Sequence, residues 1–186
     1  SIPELLRMAP GLSVARIDGN KWSVTSRGYS GRFADDLLVM IDGRTVYSPL
    51  FAGTFWETLD LPLEDIERIE VIRGPSGTIW GANAANGAIH ILTKHARATQ
   101  GTLMTSGGGS EERGFATLRY GGQIGENLYY RLYTKGFARD NSFSPMGTND
   151  NSRMGTVGFR VDWDVNTNNA VTFQGQYYGG KAGQNT

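Results

Sequence analysis

The side chains of this 186-residue sequence that are able to do chemistry are scattered along it. There is no cysteine, which removes disulfides and thiolate metal sites. His90 and His95 are too few and too dispersed for a zinc site. Asp35, Asp36 and Asp42 are close in sequence, but Asp36 precedes an apolar run and Asp42 is explained by a turn. No Ser or Thr stands in a visible arrangement with a histidine and an acid, so no catalytic residue, metal site or cofactor is assigned. Gly74-Pro75-Ser76-Gly77 lacks the Lys-Ser/Thr of a phosphate loop, and Gly107-Gly108-Gly109-Ser110 reads as ordinary loop. One stretch is rich in aromatics: Tyr47, Phe51, Phe55 and Trp56, interspersed with Ser48, Pro49 and Gly53, offer flat faces for stacking.

The bulk composition narrows the field by exclusion. Formal charge is zero with both signs interspersed, so there is no electrostatic case for a nucleic-acid partner. The 26 glycines, 8 tyrosines, 8 phenylalanines and 4 tryptophans favour strands and turns over helices. No run of about 18 apolar residues occurs, which removes a transmembrane helix and leaves a β-type span open. The sequence opens at a helix start with no basic and apolar leader ahead of it, so an upstream segment is expected.

The elements that must position these residues fall into two halves. Up to about Lys94 the pattern is compact α+β. Ser1-Ile2-Pro3-Glu4 has capping-box spacing, and Ile2, Leu5, Leu6 and Ala9 share a helical face that Pro10-Gly11 ends. The apolar run 37–41 followed by Asp42-Gly43 predicts a buried, central or parallel strand and a tight hairpin turn. Residues 69–73 and 88–93 predict two further strands, with ordered loops around a short turn at Ile79-Trp80 between them. After about Gln100 the period becomes 2. Val157, Phe159, Val161, Trp163 and Val165 oppose Thr156, Arg160, Asp162 and Asp164; Val171, Phe173 and Tyr177 oppose Thr172, Gln174 and Gln176. Leu128, Tyr130, Leu132 and Ala138 alternate with Arg131, Lys135 and Arg139, and Ala116, Leu118 and Tyr120 with Thr117 and Arg119; 102–106 is a weaker first strand. Strands of about ten to twelve residues are the length of a tilted bilayer span. The longer connections 107–112 and 140–153 alternate with the tight turns 125–127 and 166–168, as extracellular loops and periplasmic turns do. Five strands are too few to close such a barrel. A soluble sandwich or meander is the alternative for this half.

The tract 66–94, IERIEVIRGPSGTIWGANAANGAIHILTK, closely resembles the end of the plug domain of TonB-dependent outer-membrane receptors, whose pattern is approximately IERIEVxRGPxSxLYGxxAxGGVINIxTK. Trp80 stands for the usual Tyr, Asn86 for a Gly and His90 for an Asn. Upstream, 1–14 resembles the LxxxPGV opening of the plug, Ser26-Arg27-Gly28-Tyr29 its IRG motif, and 37–43 its VLVLIDG strand and turn. The resemblance implies an α+β plug of about four strands with short helices at 1–96, followed at 97–186 by the first five or so antiparallel strands of an outer-membrane β-barrel of the plugged 22-stranded class. It implies a Gram-negative outer-membrane location, contact with lipid, and uptake of a scarce ligand such as an iron-siderophore or other metal chelate. The energy would come from the TonB complex, through a TonB box expected upstream. A binding receptor or adhesin that does not transport is the alternative, and an enzyme is not expected.

The family's apical loops correspond to 29–35 and 47–56. Arg32 and Phe33 in the first, and Tyr47, Ser48, Phe51, Phe55 and Trp56 in the second, are therefore the candidate ligand contacts. A solvated Arg32, and aromatic side chains packed on the barrel wall, are the alternatives. Arg27 and Arg73 match two arginines that in several members pair with barrel glutamates and lock the plug, with local pairing to Glu70 or Glu57 the other possibility.

Overall fold

A computed structural model describes residues 1–26, 37–48, 53–141 and 149–183, which divide into two units, Ser1–Thr93 and Lys94–Thr186. Arg27, Arg32, Phe33 and Phe51 lie outside the described residues.

In the first unit, helix α1 (Ile2–Leu6) carries Pro3 in its first turn and buries Ile2 and Leu6, while the Ser1 hydroxyl donates to the Glu4 carboxylate at 3.2 Å. Strands β1 (Ser13–Arg16) and β2 (Trp22–Thr25) form a separate hairpin. The main sheet has the order β4-β3-β8-β7, with β3 at Leu37–Ile41, β4 at Arg44–Thr45, β7 at Ile66–Arg73 and β8 at Gly87–Thr93. Strand β3 runs parallel to β8 and is buried along its whole length, as its unbroken apolar run predicts. Ile89 and Ile91 of β8 are fully buried; at about 1.5–3 kcal/mol for each such side chain, this pair is a main source of the unit's cohesion.

The turn after β3 has positive φ at both central residues, 48° at Asp42 and 80° at Gly43, which makes it the type I′ hairpin that Asp-Gly encodes. Asp42 also reaches across the sheet, accepting from the Thr93 amide and the Thr93 hydroxyl, both at 2.7 Å. The residues expected as a loop turn form a one-turn helix, α2 (Gly77–Trp80), followed by a 3-10 turn at Ala82–Ala84. The Ser76 amide bonds the Ala84 carbonyl, and its hydroxyl bonds the Gly74 carbonyl, so the glycines here sit in defined turns.

In the second unit a 3-10 turn, Ala96–Thr99, leads into β9 (Gly101–Gly107), β10 (Glu112–Ile124), β11 (Leu128–Arg139), β12 (Ser152–Asn166) and β13 (Asn169–Ala182). The four longer strands run 12 to 15 residues, somewhat beyond the sequence expectation. All neighbours are antiparallel and sequential, an open five-stranded meander.

Its register separates two faces. Across β10 to β13, Ile124, Leu128, Trp163 and Val171 form one row, and Tyr120, Leu132, Phe159 and Gly175 another on the same face. Lys135 and Thr156, Arg131 and Arg160, and Tyr129 and Asp162 are paired on the other. The apolar face is the exposed one, with Phe173 67% and Tyr177 78% accessible, whereas Thr117, Arg131, Thr156 and Asp162 are buried. Glycines opposite aromatics tighten the sheet: a Cβ on Gly158 would lie 2.4 Å from the Tyr133 ring, so the ring lies over the glycine backbone.

Candidate functional site

Strand β5 (Tyr47–Ser48) pairs with β6 (Gly53–Thr54), so the second candidate loop is a small hairpin against β3 whose tip, 49–52, lies outside the described residues. Its base is anchored. Tyr47 is half-buried against Leu38, Met40, Ala84 and Ala88, with Ile72 beside the same cluster. Phe55 is half-buried, and its carbonyl accepts from the Thr58 amide at 3.1 Å and the Thr58 hydroxyl at 2.9 Å. Trp56 opens the 3-10 turn Trp56–Thr58 and is 5% exposed, so its ring is part of the core here. Tyr47, Ser48, Phe55 and Trp56 are thus gathered by one hairpin, with Ser48 half-buried at the edge of the tip.

Arg73 ends β7, opposite Gly87, and is exposed. Its aliphatic stem crosses Gly11, where a Cβ would come within 2.8 Å of Arg73 Cδ. Glu70, one of its two local partners expected from sequence, is bonded instead by Arg68 Nε at 2.8 Å. His90 accepts from the Gly43 amide at Nε2, 3.0 Å away, which fixes the imidazole beside the hairpin turn, and its ring lies 6.5 Å from that of Trp80.

A second polar site in this unit holds the β1–β2 loop. Asp18 accepts from the amides of Asn20 and Lys21 at 3.0 and 2.8 Å and pairs with the Lys21 ammonium at 2.6 Å. Burial alone would raise the Asp18 carboxyl, but the Lys21 bond and the two amides outweigh it and hold it below its ordinary value. No group of three or more His, Asp or Glu among the described residues is placed to hold a metal.

A carboxylate bonded as heavily as Asp18 was not singled out by its sequence. Asp162, 1% exposed on the polar face of β12, accepts from the Ala96 amide at 2.7 Å, Arg160 Nε at 2.8 Å and the Thr172 hydroxyl at 2.7 Å. Around it, Arg97 pairs with Asp164 at 2.8 Å and stacks over Tyr129, 4.5 Å from the ring centre, while Arg131 donates to the Lys94 carbonyl at 3.0 Å. Gly121 makes room for this arrangement, since a Cβ there would fall 2.0 Å from the Thr99 carbonyl oxygen. The contacts of Lys94, Ala96, Arg97 and Thr99 join the segment 94–99 to strands β10 to β12, while Arg160 and Thr172 hold Asp162 from within the sheet. The arrangement is a clamp without catalytic geometry: it seats the first residues of the second unit on the polar face of its own sheet. Asp162 was legible in the sequence only as one polar residue in an alternating strand, 66 residues from the amide it binds.

Comparison with known proteins places these features in a family context. Residues 1–88 match the family model of the TonB-dependent Receptor Plug Domain. The chain is 32% identical over 165 residues to the vitamin B12 transporter BtuB of Vibrio cholerae serotype O1, a match covering 87% of this chain and 26% of that protein. It is 30% identical over 154 residues to the ferric enterobactin receptor of Pseudomonas aeruginosa, covering 71% of this chain and 20% of the relative. Among solved structures, the siderophore receptor PirA of Pseudomonas aeruginosa superimposes with a TM-score of 0.69 at 24% identity, over 98% of this chain and 31% of that one. The chain therefore spans about a quarter of the length of the curated relatives it matches.

Proposed function

Given that the chain belongs to the TonB-dependent receptors and carries their plug domain followed by antiparallel strands, we propose that it is the plug and opening wall of an outer-membrane transporter for a scarce, bulky ligand. The plug is assigned to 1–96 and the wall to 97–186. The ligand class is that of iron-siderophores, other metal chelates or cobalamin, in keeping with what the matched relatives are named for. Energy comes from the inner membrane through the TonB complex.

The observation that carries this reading is the inverted second unit, whose exposed face is apolar and whose described buried side chains, apart from Ala96, Tyr129 and Tyr133, are polar. A water-soluble sheet has the opposite arrangement, whereas a membrane wall puts its apolar face to lipid and its polar face to the lumen. A lumen of this class is wide enough to leak unless filled, which gives the plug its purpose. Arg32, Phe33, Ser48 and Phe51 are assigned to ligand contact, with Tyr47 and Phe55 at the base of the hairpin and Trp56 fixing it from the core. Arg27 and Arg73 are assigned to pairing with glutamates on later strands of the wall, supported for Arg73 by its exposure and by the engagement of Glu70 with Arg68.

The test is uptake by cells carrying the full-length receptor, across radiolabelled ferric siderophores, cobalamin and other metal chelates, with and without dissipation of the inner-membrane proton gradient. One ligand is expected to accumulate only in energised cells. Uptake that persists without the gradient would sink the active-transport reading, and binding without uptake would favour a receptor that only captures.

A further inference from the structure

The apolar face of the second unit ends in two cations. Reading the cross-strand rows from the tight-turn end, Ile124/Leu128/Trp163/Val171 is followed by rows containing Phe173, Phe159 and Tyr177, then by Ala116/Gly136/Gly155/Gly179, and finally by Gly114/Ala138/Arg153/Lys181. Arg153 and Lys181 stand directly opposite each other on β12 and β13, and both are exposed. Like charges at opposed positions repel and destabilise a strand pair. No described carboxylate forms an ion pair with either; the nearby Asp140 is taken by Arg113 at 2.7 Å, and Glu112 by Arg139 at 3.1 Å.

The height of this pair is informative. Ten residues separate Arg153 from Trp163, or about 33 Å along a strand at about 3.3 Å per residue. At a tilt of about 40° this projects to about 25 Å, the height of the apolar band of an outer-membrane barrel. With Trp163 at one margin, Arg153 and Lys181 fall at the other, on the side of the longer connections and hence of the outer leaflet. Beneath them the small residues Gly155 and Gly179 leave a groove of about 390 Å³ that Met154, Gly180 and the two cations also line.

We propose that Arg153 and Lys181 form a binding site for the phosphate of an outer-leaflet glycolipid, with the sugar or upper acyl segment lying over Gly155 and Gly179. This rests on the outer-membrane reading above. The charge complementarity is specific: the guanidinium offers a planar fork and the ammonium a point charge, two phosphate-binding groups of different geometry held side by side by strand pairing. An anion between them also relieves their mutual repulsion. Both long side chains have their stems on the apolar face, the arrangement in which such residues reach a headgroup from a hydrocarbon surface.

The experiment uses full-length receptor extracted from outer membranes in mild detergent, with bound glycolipid counted by native mass spectrometry. Wild type is compared with an R153Q/K181Q double variant and with R153K. The double variant is expected to lose about tenfold or more of its bound phosphorylated glycolipid, while R153K retains most of it. Delipidated wild type is then offered purified lipid A, its dephosphorylated form, or inorganic phosphate. Only phosphorylated lipid is expected to rebind. Equal lipid in wild type and the double variant overturns the proposal, as does full occupancy by the dephosphorylated form or displacement of the lipid by millimolar phosphate. A heat-modifiable barrel in the outer-membrane fraction for every variant shows that the membrane reading stands independently; wild type absent from that fraction overturns both.

Discussion

Ile89 and Ile91 of the first unit are wholly enclosed, whereas Phe173 and Tyr177 of the second stand mostly exposed, so two sheets of one chain place their apolar side chains in opposite environments. In the first, β3 is buried on both faces and cohesion comes from close packing, as in a water-soluble domain. In the second, the backbone ladder and a polar face organised around Asp162 do that work, and the apolar face is left exposed. The difference teaches that strand periodicity alone does not say which face is inside. The polar partners do.

The largest effect that would sharpen this contrast is expected at Asp162. Asp162→Ala takes the carboxylate away from Arg160, whose side chain is 12% exposed, and leaves the buried Ala96 amide without its acceptor, at a cost of about 3–5 kcal/mol. It is read as loss of heat-modifiable receptor from outer membranes; an unchanged level would show that the clamp is dispensable. Ile89→Ala opens a cavity in the plug core and is expected to cost about 2–5 kcal/mol, seen as a lower denaturant midpoint for plug unfolding in the extracted receptor. Val157→Lys discriminates most directly between the two environments. At a water-facing position this change is nearly neutral, but facing lipid near mid-band it is expected to cost about 2–4 kcal/mol, measured by refolding into bilayers. A neutral result there would break the comparison. The smallest effect is expected at Asp18. Its carboxyl titrates lower in the folded plug than in the unfolded chain, so its contribution is complete above the unfolded value near 3.8 and is lost as pH falls through the folded value. The stability difference between wild type and Asp18→Asn is therefore expected to shrink below about pH 4 in acid denaturation.

Much of the fold was legible because it is written locally. The Asp42-Gly43 turn, the buried strand before it and the alternating faces of β10 to β13 each follow from a few neighbouring residues. The helix at Gly77–Trp80 was missed because its four residues include a glycine and sit between glycine-rich turns, with too short a span for any helical period. Trp56 illustrates the limit at the site: an aromatic in a Gly- and Pro-containing loop is equally suited to stacking on a ligand or filling the core, and only its burial distinguishes them. The Asp162 clamp was invisible because it depends on strand register, which joins residues far apart in sequence.

The pairing pattern also sets an order of events during folding. Each neighbour pair in the second sheet is a hairpin with its partner close at hand in the chain, and such units form in about 1–10 μs. The β3–β8 pair is different, since Leu37 meets Gly87 in parallel and the intervening chain must first close on itself. Contacts of such wide separation slow folding. The strands of the wall are therefore able to zip before the central seam of the plug has formed, and the late-closing seam is the one that Asp42 fastens to Thr93 at the last residue of the first unit.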